Sequence, residues 1–111
     1  MHDFKELLGD APSLANALRS LQLSAKEKSD LGTLYSCGSG ISVKRDNGRR
    51  VRGETIYSCS KVGSKLTKYF NGVGPQDKMM WVGYIQLDGN ENEQWVLRPE
   101  IRLAIKELGW L

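Results

Sequence analysis

Asn47 and Gly48 stand together between two strand-like segments, and this pair constrains the fold more than any other feature. A two-residue type I′ turn needs positive φ at both central positions, and Asn-Gly meets that need best. Ile41 to Asp46 and Arg49 to Tyr57 are therefore expected to form one antiparallel hairpin. Ile41 and Val43 alternate with Ser42 and Lys44, as a half-buried strand requires.

Helical periodicity surrounds this hairpin. Leu14, Ala17, Leu18 and Leu21 fall at i, i+3, i+4 and i+7, which predicts a helix from about Pro12 to Gln22. Ser24-Ala25-Lys26-Glu27 reads as a capping box that opens a second helix. That helix buries Leu31, Leu34 and Tyr35 and ends before Gly38-Ser39-Gly40. The pair is either a helix-turn-helix or an ordinary helical hairpin. A third helix is expected from about Ser60 to Phe70, with Val62, Leu66, Tyr69 and Phe70 as its apolar face.

After the loop Asn71–Pro75, Met79 to Leu87 reads as a strand with Trp81 central, and Gln94 to Leu97 returns it past Asp88–Asn92. Pro99 opens the last helix, which carries Ile101, Ala104, Ile105 and Leu108 at helical spacing. Gly109 takes the C′ place, and Trp110 and Leu111 are expected to fold back on the core. The order predicts an α+β fold of short helices and two antiparallel hairpins, since no parallel βαβ crossover is indicated. The helix-then-hairpin units resemble the plan of winged-helix domains, an analogy of architecture that does not by itself assign function.

Length and composition limit what such a chain can be. Its 111 residues suit one domain spanning 1–111, and 40% apolar residues with three Trp supply one core. No apolar run reaches the roughly 20 residues of a membrane span, and Met1–Glu6 lacks a secretory signal pattern. The expectation is a cytoplasmic protein without membrane contact. Cys37 and Cys59 are the only cysteines and His2 the only histidine, so no zinc ligand set is spelled out. Both cysteines are expected as free, largely buried thiols. Gly38-Ser39-Gly40 matches neither a nucleophile elbow nor a dinucleotide loop, and His2 is a poor general base at a terminus. Asp88–Glu93 begins like a calcium loop but has Glu93 and Pro99 where glycine and glutamate are required. No enzyme, cofactor or metal is therefore expected.

Charge placement is more informative. Residues 1–40 carry a net −1, residues 41–70 a net +6 and residues 71–111 a net −2. Lys44, Arg45, Arg49, Arg50 and Arg52 cluster around the turn, and Lys61, Lys65 and Lys68 share a face of the third helix. Arginine forks grip phosphate in two places, and a stiff ribbon can lie along a phosphate backbone. The start of the third helix, Ser58 to Lys65 with Ser64 among its hydroxyls, is a second expected anion site through its N-terminal N–H groups. Tyr57, Tyr69 and Phe70 lie nearby, yet Tyr69 and Phe70 fall on the apolar stripe, which argues for phosphate contact before base stacking.

The resulting expectation is a small nucleic-acid-binding protein, with DNA favoured over RNA, contacting phosphates through Lys44, Arg45, Arg49, Arg50, Arg52, Lys61, Ser64, Lys65 and Lys68. Six phosphate pairs would give a log–log salt slope near about −5. The rival expectation is a small regulatory or inhibitory module that docks the same basic face on an acidic protein surface. Oligomeric state is not legible.

Overall fold

Among the described residues, four helices pack around a small three-stranded sheet, and a separate two-stranded ribbon stands beside them. The structure is a computed structural model and describes residues 11–38 and 40–110. Helix α1 (Ala11–Ser20) turns Leu14, Ala15, Ala17 and Leu18 inward. Its partner is α4 (Pro99–Leu108), which buries Ile101, Ala104 and Ile105. Gly109 closes α4 in the left-handed conformation at φ 70. Each fully buried leucine or isoleucine of this layer stabilises the fold by about 2 kcal/mol.

Helix α2 (Ala25–Ser36) starts at the expected capping box. The Ser24 hydroxyl accepts from Glu27 N at 3.0 Å while Glu27 accepts from Ser24 N at 2.8 Å. Leu31 and Leu34 are buried and Tyr35 is half-buried. Strands β1 (Ile41–Ser42), β4 (Gly83–Leu87) and β5 (Glu93–Leu97) form one antiparallel sheet in the order β1-β5-β4. Strands β2 (Lys44–Asp46) and β3 (Arg49–Val51) form the ribbon.

Three boundaries differ from the sequence expectation. The Ile41–Asp46 segment divides at Val43. Ile41 and Ser42 pair with Trp95 and Gln94 of β5, whereas Lys44–Asp46 pair with β3. The return strand ends at Val51 rather than Tyr57, and helix α3 (Glu54–Tyr69) begins six residues before Ser60. Ile56, Cys59, Val62 and Leu66 line one helical stripe and are buried, so core contact overrides the strand propensity of Thr55, Ile56 and Tyr57. Gly53 supplies the extended N-cap. Finally, residues Lys78–Trp81 form a 3-10 turn ahead of β4. Asp77 caps it by accepting from Met79 N at 3.1 Å.

That turn seats against α3 at Gly63. A Cβ there would lie 1.8 Å from the Lys78 carbonyl oxygen. Trp81 is buried behind it, stacked on Phe70 at 5.2 Å and donating from Nε1 to Thr67 Oγ1 at 2.8 Å. Tyr69, expected in the core, is 43% exposed and meets Phe70 only edge-on. Trp110 folds back half-buried beneath Lys28, while Leu111, His2 and Ser39 lie outside the described residues. Both cysteines are free. Burial, with Asp30 adding to it, pushes the Cys59 thiol up to about 12, so it behaves as an inert core group.

Candidate nucleic-acid interface

The ribbon turns at Asn47 (φ 53) and Gly48 (φ 78), both in the left-handed region that the type I′ turn requires. Its register pairs Lys44 with Val51, Arg45 with Arg50 and Asp46 with Arg49. Residues directly opposed share a face, so Arg45 and Arg50 stand on one side and Lys44, Asp46, Arg49 and Val51 on the other. The four cations of the ribbon are therefore divided between its faces, and Arg52 follows just beyond β3.

Arg45 and Arg50 converge on Glu93 of β5. Arg45 donates from Nε and Nη2 to Oε1 at 3.1 and 2.5 Å, and Arg50 from Nε and Nη2 to Oε2 at 3.2 and 2.5 Å. The Arg50 and then the Arg45 hydrogen bonds hold the Glu93 carboxyl below its ordinary range. Arg52 is committed elsewhere. Its Nη2 donates to both Asp77 oxygens at 2.6 and 2.7 Å, and its Nη1 to Ser60 Oγ at 3.1 Å. Its guanidinium also lies over the Trp95 ring.

Helix α3 shows the same division. Lys65 donates to Glu27 Oε1 at 2.7 Å and to the Gln22 carbonyl at 3.1 Å. Glu27 is 6% exposed; burial raises its carboxyl, and the Lys65 and Ser24 hydrogen bonds outweigh burial and hold it low. Lys61 and Lys68 point to solvent, with Lys61 Nζ 4.8 Å above the Tyr57 ring. Lys44, Arg49, Lys61 and Lys68 have no carboxylate partner among the described residues.

Tyr57, Lys61, Ser64 and Lys68 recur at i, i+4, i+7 and i+11 and form one exposed stripe on α3. Ser64 spends its hydroxyl donor on the Ser60 carbonyl at 3.3 Å. The stripe borders a groove of about 670 Å³ shared with Ser24 and Lys26 of the α2 start. Lys44 reaches the other end of the helix, lining a hollow of about 190 Å³ with Gly53 and Glu54. Glu54 borders both spaces and is bridged by Lys26 at 2.8 Å, which raises the Lys26 ammonium.

The expected anion site at the start of the third helix is not formed. Ser58 to Lys65 occupy the middle of α3, where backbone N–H groups are already bonded to earlier carbonyls. Ser58 itself is buried. The carboxylates Glu27, Asp77 and Glu93 are the partners that sequence reasoning missed. Counting charge by thirds of the chain registered the acidic flanks, but no local spacing links Arg45 to Glu93 or Lys65 to Glu27. The 88–92 turn is self-contained, with Asp88 accepting from Asn90 N and Asn92 N at 2.7 and 3.0 Å. Among the described residues no group of three or more His, Cys, Asp or Glu side chains gathers as metal ligands would, and no helix is long and apolar enough to cross a membrane.

No family model, curated protein or solved structure matches this chain.

Proposed function

We propose that this chain is a small nucleic-acid-binding protein that engages duplex DNA with the exposed stripe of α3, flanked by Lys44 and Arg49 of the ribbon. One observation carries the reading: Tyr57, Lys61, Ser64 and Lys68 line a single solvent-facing side of a 16-residue helix, and Glu54, the one carboxylate on that side, is bridged by Lys26. Such a helix is about 24 Å long and fits the major groove of B-DNA, whereas the narrow A-form groove of RNA excludes it. Lysines on the stripe would meet phosphates while Tyr57 and Ser64 face the groove floor.

The topology supports the same reading. Helix α2, strand β1, helix α3 and the β4–β5 hairpin, with β5 between β1 and β4, resemble the winged-helix plan in order, with the β2–β3 ribbon inserted between β1 and α3. Asp88 and Glu91 make the β4–β5 turn unsuited to phosphate, and the β2–β3 ribbon supplies the flanking cations instead. With the four cations that lack a carboxylate partner among the described residues engaged, log affinity should fall against log salt with a slope of about −3.6. Gel retention of a duplex across a salt series tests this. Absence of retention at low salt would refute the reading.

Lys44, Arg49, Lys61 and Lys68, without a carboxylate partner among the described residues, suit equally a second reading, in which the same side docks on an acidic protein surface as a regulatory module. It predicts salt-dependent capture of an acidic protein and no retention of DNA.

A further inference from the structure

The geometry points to Arg45 and Arg50 as a phosphate-binding site in which the Glu93 carboxylate holds the place of the ligand. Each guanidinium presents its Nε–Nη2 edge to a different oxygen of one carboxylate. Two guanidinium edges converging on one tetrahedral oxyanion is the arrangement that arginine pairs use for phosphate. One carboxylate leaves this pair with a net charge of +1, and a doubly charged phosphate would neutralise it fully.

The surroundings favour exchange over a permanent structural bridge. Arg45 and Arg50 keep about half of their side-chain surface in solvent, at 48% and 51%. The main-chain bond from Val43 N to the Glu93 carbonyl at 3.0 Å still ties the ribbon to the sheet when the carboxylate is given up. The turn adds a fixed point, since Arg45 Nη1 also donates to the Gly48 carbonyl at 2.9 Å and keeps its fork oriented. Backbone pairing of β2 with β3 fixes the two arginines opposite each other whether or not Glu93 is present.

Glu93 thereby acts as an internal competitor. An arriving phosphate displaces the carboxylate, which then recruits a cation from solution. That uptake cancels the counterion released from the phosphate, so the site adds affinity without adding to the salt slope. The consequence is discrimination: a singly charged anion cannot displace Glu93, whereas a multiply charged phosphate can, and most readily when an already bound polyanion delivers it at high local concentration. The polyanion part of this argument rests on the nucleic-acid reading above; the phosphate site does not.

The test uses Glu93→Gln with pyrophosphate and a DNA duplex as separate probes. By calorimetry, Glu93→Gln should bind pyrophosphate at least tenfold more tightly than the parent chain, and adding Arg45→Ala or Arg50→Ala should abolish the gain. In the parent chain, the Arg45 and Arg50 Nε–H resonances should move together when pyrophosphate is titrated, which needs no substitution. With duplex, the Glu93→Gln slope should steepen by about one, from about −3.6 to about −4.5. Pyrophosphate binding without DNA retention would uphold the site and overturn the nucleic-acid reading. DNA retention by the parent chain, with no pyrophosphate gain in Glu93→Gln and no movement of the arginine resonances, would overturn the site alone.

Discussion

The ribbon and helix α3 carry the positive charge of this chain in opposite ways. The ribbon and Arg52 just beyond it hold five cations, of which Arg45, Arg50 and Arg52 are tied to Glu93 and Asp77. The helix has three, of which only Lys65 is tied. Both regions therefore leave two cations without a carboxylate partner among the described residues, although the ribbon looks far more basic in sequence. They also differ in how they are held. The helix is seated by backbone-to-backbone approach at Gly63, whereas Arg–carboxylate bridges and the Val43 N to Glu93 O bond hold the ribbon to the sheet. Charge density along a chain thus measures what is available only after distant carboxylates have taken their share.

The largest effect should come from breaking the helix seat. Gly63→Ala forces a Cβ to 1.8 Å from the Lys78 carbonyl oxygen, and rigid backbone cannot move aside cheaply. A loss of about 3 kcal/mol in urea unfolding is expected, with DNA binding lost in parallel. Unchanged stability would show that α3 is not held this closely.

Removing the unpaired lysines separates charge from fold. Lys61→Ala with Lys68→Ala should weaken duplex binding by about 10- to 100-fold and leave the melting temperature within a few degrees, because neither lysine bonds a carboxylate among the described residues.

The Lys65–Glu27 bridge is structural on this account. The Glu27 carboxyl is held below the ordinary carboxylate value of about 4.5 by its Lys65 and Ser24 hydrogen bonds, so its contribution is fully present above the unfolded-state pKa and is lost as pH falls through the lower folded value. Stability should therefore drop below about pH 4.5, and Glu27→Gln should cost about 1–2 kcal/mol at neutral pH while flattening that acid limb. An acid limb unchanged in Glu27→Gln would remove Glu27 from the account.

Much of the fold was legible because its signals are local. The Asn47-Gly48 turn, the Ser24/Glu27 capping box, and the α1 and α4 stripes depend on residues within one or two turns of each other. The start of α3 was not legible. Val51 to Tyr57 reads as β-branched and aromatic, and only the burial of Ile56 against the rest of the core decides for helix. The break at Val43 was hidden for a related reason, since both halves of that segment are extended and differ only in partner. In the candidate site, residue types were readable but their state was not. Arg45 and Glu93 are 48 positions apart, and pairing at that separation leaves no periodic trace.

The smallest effect should come from the ribbon turn. Gly48→Ala places a side chain at φ 78, costing about 1 kcal/mol of local stability. The Arg45 to Gly48 contact should loosen in amide exchange while α3 stays protected. Equal loosening of both regions would contradict their independence.

The account turns on unpaired charge rather than total charge, and one pair of variants separates the two. Duplex affinity is measured across a salt series for Lys61→Ala/Lys68→Ala and for Arg45→Ala/Arg50→Ala. The lysine variant should halve the slope to about −1.8, while the arginine variant should keep it near about −3.6 and lose only affinity. A slope that collapses in the arginine variant and survives in the lysine variant would contradict the account.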